Sequence, residues 1–332
     1  MSRGLVAIVA DVTDGVVLVT GGAGFVGSHV CDRLLEHGAR VVAVDDLSTG
    51  RTVNLGGAGR REGFTFANVD VRSAGLRDVF EEHHPEVVMH LAAQAGVRPS
   101  LEDPGHDASV NVLGTLNVLE AATAAGSRKV IYAASGGTVY GEPETVPVAE
   151  AAAEASHAES PYGISKKVAL EYLRFFARHR GLDFTALALG NVFGPRQDPT
   201  GEAGVIAIFT SALLAARPAT IFGDGEQTRD YVYVDDVVDA FIAAIDRASG
   251  SLVNIGTGIE TSVNELHQML CDVVGIRVAP TYGPQPDGEL RRIALDIERA
   301  ASVLDWRPRT DLAAGLSRTA EHLRTSARAA SA

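Results

Sequence analysis

Tyr162 and Lys166 stand four residues apart in S-P-Y-G-I-S-K, so on a helix they share one face about one turn apart. That spacing has a chemical use. A free tyrosine hydroxyl titrates near pH ~10, and an adjacent ammonium together with a cationic cofactor ring favours its phenolate, a base near neutral pH. On a solvated helix face the same pair would do nothing, so the rest of the chain decides. Val16 to Val30 reads V-V-L-V-T-G-G-A-G-F-V-G-S-H-V: an apolar run suited to a buried strand, closely spaced glycines, then a helical pattern. Backbone amides at such a helix start hold a pyrophosphate. Gly21 permits the tight turn, Gly24 the close approach of the phosphates, and Gly27 the packing of helix on strand. A second apolar run, Arg40 to Val44, ends in Asp45, about 20 residues on, where an acid binds the adenosine ribose. A carboxylate there accepts from ribose hydroxyls and repels a 2′-phosphate, so the expected cofactor is NAD.

Along the chain, apolar runs alternate with amphipathic segments, the pattern of an α/β chain with a doubly wound parallel sheet of Rossmann type. Asp46, Leu47, Ser48, Thr49 and Gly50 form a turn-rich loop over the adenosine side. A third strand, Phe64 to Val69, ends at Asp70, in reach of an adenine amino group. A fourth, Val87 to Leu91, ends in Ala92 and Ala93, whose small side chains let a cofactor lie against the backbone. Asn111 to Ala122 reads as one long helix, apolar on more than one face. The fifth strand, Lys129 to Ala134, delivers S-G-G-T-V-Y-G at Ser135 to Gly141.

The 332 residues are 46% hydrophobic and carry a net charge of -13 with no basic block, which argues against nucleic acid and anionic membranes as partners. Any phosphate must be held locally. Two cysteines, Cys31 and Cys271, lack metal spacing and read as core residues of a reduced cytoplasmic protein, with no metal expected. Gly4 to Ala10 is too short to span a bilayer and makes a poor signal peptide, so residues 1–14 read as a tail. His83 and His84 read as a solvated helix end, His90 as a satisfied core histidine, Asp235 and Asp236 as a helix start, and Trp306 as packing for the C-terminal helix.

The glycine stretch, Asp45, H-L-A-A-Q (His90 to Gln94), Tyr162 with Lys166, and G-N-V-F-G-P-R-Q-D-P (Gly190 to Pro199) together resemble the extended short-chain dehydrogenase/reductase family. Within it the chain is most similar to the UDP-hexose 4-epimerases. G-E-A-G-V-I-A-I-F (Gly201 to Phe209), I-F-G-D-G-E-Q-T-R-D-Y-V-Y-V-D-D-V (Ile221 to Val237) and N-I-G-T-G (Asn254 to Gly258) extend the resemblance. It implies NAD-dependent epimerisation at C4 of a UDP-hexose through a 4-keto sugar, UDP-glucose and UDP-galactose first, UDP-glucuronate as the alternative. It implies that Tyr162, Lys166 and Ser135 are catalytic, with Thr138 the other candidate hydroxyl. It adds Phe25, Val26, Val71, Leu91, Gln94, Asn111, Ala133, Ala134 and Leu189 to the cofactor site. It assigns Gly136, Asn191, Gly204, Val205, Thr220, Phe222, Arg229 and Arg291 to the UDP-sugar, while Arg98 reads equally as a substrate contact or a surface charge.

The expected division is residues 15–190 and 235–256 for NAD, and a smaller α/β part, 191–234 and 257–328, for substrate. Several positions depart from the family's pattern. Gly136 replaces the usual Ser or Thr, Ala188 and Leu189 the usual Arg and Tyr, and Pro286-Asp287-Gly288-Glu289 the usual Arg-x-Gly-Asp at the diphosphate. The position gating sugar bulk falls near Ile293. A 4,6-dehydratase would need an Asp-Glu pair where Gly136 and Gly137 stand, and an inactive NAD-sensing relative would have lost the Tyr or the Lys. Val110, Val112, Leu113, Leu116, Val118 and Leu119, with Val168, Leu170, Tyr172, Leu173, Phe175 and Phe176, exceed one apolar stripe, so a homodimer through these two helices is expected.

Overall fold

The computed structural model describes residues 15–199, 204–285 and 290–331. The expected tail and the Pro286–Glu289 departure lie outside the described residues, as does the start of the Gly201–Phe209 match. In order come β1 (Val16–Thr20), α1 (Phe25–Glu36), β2 (Arg40–Asp45), β3 (Phe64–Asn68), α2 (Gly75–His83), β4 (Val87–His90), α3 (Val97–Glu102), α4 (Pro104–Ala108) and α5 (Gly114–Ala124). Next are β5 (Lys129–Ser135), α6 (Ala152–Ala155), α7 (Pro161–Arg180), β6 (Asp183–Leu189), β7 (Asn191–Phe193), α8 (Val205–Leu214), β8 (Thr220–Phe222), β9 (Thr228–Arg229), β10 (Tyr231–Tyr233) and α9 (Val234–Ala243). The chain closes with β11 (Ser251–Ile255), β12 (Thr261–Ser262), α10 (Val263–Val274), β13 (Thr281–Gly283), α11 (Glu298–Leu304) and α12 (Leu312–Ser331).

Seven strands pair in the order β11-β6-β5-β4-β1-β2-β3, every pair parallel. β1 and β4 are buried along their whole length, as expected of strands covered on both faces. One face packs on α1 and α9 through Val30, Leu34, Val237 and Phe241, the other on α2, α5 and α7 through Phe80, Val118, Leu119 and Leu173. Strand order reverses between β1 and β4. In such sheets the ligand crevice lies beyond the carboxyl ends at that reversal. Both Gly21 and Ala92 follow those ends. Three two-stranded sheets, β7 with β10, β9 with β12 and β8 with β13, stand apart from the main one.

α7 starts where its sequence says: Ser160 accepts from Gly163 N, and Pro161 supplies the first helical residue. It ends at Gly181 with φ 72°, after Arg178, His179 and Arg180 in the last turn. The helix expected across Asn111–Ala122 is instead interrupted. Ser109–Leu113 forms a π turn between α4 and α5, a wider winding that re-aims side chains and recurs at functional sites. Trp306 is buried with Leu316 and Ala320 of α12 and donates its indole N–H to Asp236 O at 2.8 Å. Asp235 and Asp236 lie in the first turn of α9, where negative charge suits the dipole. Cys31 and Cys271 are free and buried. Among the described residues no helix is long and apolar enough to cross a membrane.

Candidate active site

The end of β5 and the first turns of α7 bring Ser135, Tyr162 and Lys166 together. The Ser135 hydroxyl hydrogen bonds the Tyr162 phenol. Thr138, the other candidate, has a buried hydroxyl without a hydrogen-bond partner, and its carbonyl and Cβ pack against Gly163. Lys166, 3% exposed, donates to Ala133 O at 2.9 Å, and its ammonium lies 4.8 Å from the Tyr132 ring centroid and 5.7 Å from that of Tyr162. Burial pushes the Tyr162 hydroxyl up to about 12, with the Ser135 hydrogen bond opposing and the Asp107 carboxylate adding to the rise. The expectation that neighbouring charge makes this phenol a base is therefore reversed by burial in the protein alone. For a base at this position a further positive charge, such as an oxidised nicotinamide, would be needed. Burial also lowers Lys166, to about 8.

The glycine turn has the shape of a phosphate cradle. A Cβ on Gly21, whose φ is +69°, would lie 2.8 Å from Ala92 N, and one on Gly27 would lie 2.1 Å from Gly21 O. Only glycine lets strand, turn and helix approach this closely. Gly24 ends as the N-cap of α1 with Phe25 and Val26 following, so unpaired helix amides open toward the crevice. Asp45 is buried at the end of β2; its carboxylate accepts from Ala23 N at 3.0 Å and Leu47 N at 2.8 Å. Desolvation raises its pKa, opposed by those hydrogen bonds. The loop Asp46–Gly50 folds back on it: Ser48 N and Oγ both bond Asp46, and a Cβ on Gly50 would sit 2.5 Å from Asp45 Oδ1. Asp70 lies past β3, held in a fork by Arg72, which lowers its pKa and occupies both oxygens. Val71 beside it is buried. Leu91, Ala92 and Ala93 follow β4, Ala133 and Ala134 lie in β5, and Leu189 ends β6, all at the same carboxyl edge.

Beneath this edge runs a buried polar network. Ala92 N–H donates to Thr20 Oγ1 at 3.2 Å, which donates to His90 Nδ1 at 2.7 Å; His90 Nε2 meets Thr115 Oγ1 at 3.0 Å, which donates to Asn111 O at 2.6 Å. The hydroxyl directions require neutral His90 protonated on Nε2. Burial accordingly lowers its pKa to about 3, with the Lys166 charge contributing, and the satisfied core reading of His90 stands. The Asn111 amide accepts from Gln94 N at 2.9 Å and donates to Gln94 O at 3.0 Å and to Asp107 Oδ1 at 2.8 Å. Asp107 Oδ2 accepts from Ser165 Oγ at 2.5 Å. Sequence reasoning missed Asp107, Ser165 and Tyr132. The available signal was an acid four residues before Asn111 on a helix.

The remaining expected residues are spread over β5, β7, α8, β8, β9 and the loops beside them. Asn191 opens β7, its N–H bound to Asp230 O at 2.7 Å. Gly204 caps α8 ahead of Val205, and a Cβ there would meet Gln197 Nε2 at 2.4 Å. Phe222 ends β8 with its ring exposed, and the Arg98 guanidinium stacks over it at 4.8 Å, joining two residues far apart in sequence. Arg229 donates to the Thr228 and Leu290 carbonyls. Arg291 is exposed and forks onto Asp224 at 2.7 and 3.1 Å, so a diphosphate would have to displace that carboxylate. The Thr220 hydroxyl is tied to that of Thr281 at 3.2 Å across the β8–β13 pair. Gly136 gives its N–H to Leu189 O and leaves no room for a Cβ beside Leu295. Ile293 is buried in the same core as Leu295.

Comparison with known proteins finds relatives over most of the chain. Residues 17–256 match the family described as NAD dependent epimerase/dehydratase. The UDP-glucose 4-epimerase of Mycolicibacterium smegmatis is 49% identical over 92% of this chain and 98% of its own length. The UDP-glucuronate 4-epimerase of Thermodesulfobacterium geofontis is 32% identical over 92% of this chain and 95% of its own. A solved structure of the UDP-glucose 4-epimerase of Thermotoga maritima with UDP-glucose is 44% identical, with a TM-score of 0.90 over 94% of this chain and 99% of that one.

Proposed function

From the premise that the chain belongs to the NAD dependent epimerase/dehydratase family, we propose that it inverts the C4 hydroxyl of UDP-glucose to give UDP-galactose, and the reverse. The observation that carries the reading is the placing of Ser135, Tyr162 and Lys166 at the carboxyl edge beside the glycine cradle and Asp45. Glycines that exclude a Cβ, helix amides facing the crevice and an acid at the end of β2 fit a dinucleotide without a 2′-phosphate. Residues 15–190 and 235–256 hold NAD in this reading, and 191–234 with 257–328 hold the UDP-sugar.

Bound NAD would supply the chemistry that side chains lack, a reversible acceptor for the C4 hydride. Tyr162 takes the proton of the sugar 4-hydroxyl as that carbon is oxidised, and Ser135 hydrogen bonds the same oxygen region. Lys166 holds the nicotinamide ribose and favours the phenolate. The 4-keto sugar then turns about its diphosphate while Asn191, Arg229 and the ring of Phe222 keep the nucleotide anchored. As C4 is reduced again from its opposite face, the Tyr162 hydroxyl gives its proton back to the new alkoxide. No net electron leaves the site.

What supports UDP-glucose over UDP-glucuronate is likeness at similar coverage, 49% against 32%. Arg98, exposed and stacked on Phe222, is the feature that would suit a 6-carboxylate. Purified protein offered each sugar nucleotide, without added cofactor, decides between them by chromatography of the products.

The functional unit in this reading is a homodimer. Val118, Leu119, Leu170, Leu173 and Phe176 are spent in the chain's own core, but Leu113 and Phe175 are 60% and 44% exposed. Leu101 and Ile164, also exposed, belong to neighbouring turns of the same helical group. Pairing these faces about a two-fold axis covers them and braces α7. The cytoplasm is the compartment that suits two free buried thiols.

A further inference from the structure

Asp107 is fully buried, at 0% exposure, and no step above uses it. Both side chains that hold its carboxylate, Asn111 and Ser165, are neutral. A buried charge held by neutral donors is costly unless an opposite charge lies within the same dry region. Lys166 is the residue after Ser165, is itself 3% exposed, and donates to a neutral carbonyl, Ala133 O. Against its ammonium lie the rings of Tyr132 from β5, at 4.8 Å, and Tyr162 one turn away on α7, at 5.7 Å; its charge also acts on buried His90 of β4 and is felt with that of Asp107 of α4, which Ser165 hydrogen bonds from the neighbouring position. His90 is neutral and both tyrosines hold their protons, because burial raises each of them. Asp107 alone of the four brings a negative charge.

We propose that Asp107 is a positioning residue: the buried counter-charge that keeps Lys166 an ammonium, and the clamp that joins the π turn to α7 through Asn111 and Ser165. The placing of buried Asp107 beside Lys166 stands on its hydrogen bonds to Asn111 and Ser165; its consequence for turnover rests on the epimerase reading. Burial drags Lys166 down to about 8 while Asp107 opposes the fall, so removing the carboxylate releases the lysine proton at still lower pH. The same removal eases the rise of Tyr162. Both changes move the working pH range in the acid direction.

The test uses the fact that the chain contains three lysines, Lys129, Lys166 and Lys167. Protein grown on lysine carrying carbon-13 at Cε gives one resonance for each, and Lys166→Arg assigns the site. In Asp107→Asn the Lys166 midpoint is expected to fall by about one pH unit, the low end for an opposite charge in the neighbourhood. Lys129 and Lys167 should not move. Ser165→Ala, which keeps the carboxylate, should leave the Lys166 midpoint in place. The alkaline limb of turnover in Asp107→Asn should move with the lysine. If that variant does not fold, Asp107→Ser carries the same expectation. A folded variant lacking the carboxylate with an unmoved Lys166 midpoint overturns the proposal, as does an equal displacement in Ser165→Ala. Absence of UDP-glucose turnover in the unaltered protein would count against the proposed function and leave the lysine titration to be judged by itself.

Discussion

Gly27→Ala places one methyl group where the helix meets the glycine turn. The added Cβ would lie 2.1 Å from Gly21 O, 2.9 Å from Gly21 C and 3.1 Å from Gly22 Cα. All three are backbone atoms, so no side chain can swing aside; α1 or the turn must move by about 1 Å to restore contact near 3.2 Å. Two effects oppose. Replacing glycine by alanine inside a helix gains up to about 1 kcal/mol of propensity, while overpacking against rigid backbone costs about 3 kcal/mol at the upper end. The clash wins by about 2 kcal/mol. For a chain of this length, with an unfolding entropy of ~0.7 kcal/mol/K, that is a fall of roughly 3 °C in Tm. The functional loss should be larger, because the moved amides are those proposed to face the pyrophosphate, and at least tenfold weaker NAD retention is expected. Calorimetry and assay of NAD in the supernatant of denatured, gel-filtered protein read the two effects separately. Gly59→Ala is the control, since a Cβ there meets nothing within 4 Å. A Gly27→Ala protein with unchanged Tm and full NAD content would refute the reasoning.

Tyr162→Phe keeps the ring and removes the proton acceptor; turnover should drop at least ~100-fold while NAD content and UDP-sugar binding by calorimetry persist. His90 stays neutral in the folded protein down to about 3, whereas the unfolded chain takes up that proton from its ordinary 6.5. Stability from this residue is therefore whole above that value and is lost as pH falls, at about 1.4 kcal/mol per pH unit. Urea unfolding of His90→Gln at several acidic pH values should show a slope shallower by one proton; an unchanged slope rejects the assignment. Phe175→Glu puts a charge on the exposed face of α7, and light scattering should find the mass of one chain, 34.8 kDa, where the unaltered protein shows twice that. Asp45→Ala removes the acceptor of the Ala23 and Leu47 amides, so the preference for NAD over NADP, measured by competitive retention, should weaken at least tenfold.

The parallel sheet and its glycine turn were legible because local patterns suffice for them. Apolar runs mark buried parallel strands, and the glycine spacing marks the turn above them. Tyr162 and Lys166 were legible by helical spacing. Less legible was anything set by side chains meeting across elements. Asp107 reads as an ordinary helix acid until the π turn aims Asn111 at it and α7 brings Ser165 to it. The Arg98–Phe222 stack joins α3 to β8, and Arg291 finds Asp224, pairings for which spacing gives no cue. The long helix read at Asn111–Ala122 failed for a related reason. Apolar periodicity fixes which residues turn inward, but a one-residue widening of the helix leaves that pattern almost unchanged. The same periodicity overstated the dimer face by counting Leu170 and Leu173, which the sheet already covers.

The central claim is that C4 is oxidised and reduced by one tightly held cofactor, with Tyr162 moving the proton. UDP-glucose carrying deuterium at C4, incubated in ordinary water without added NAD, tests it most directly. The account predicts UDP-galactose that keeps the deuterium at C4, read by mass spectrometry and proton NMR of the separated product. UDP-galactose that has exchanged the label for solvent hydrogen, or no UDP-galactose at all from protein shown to contain NAD, would contradict it.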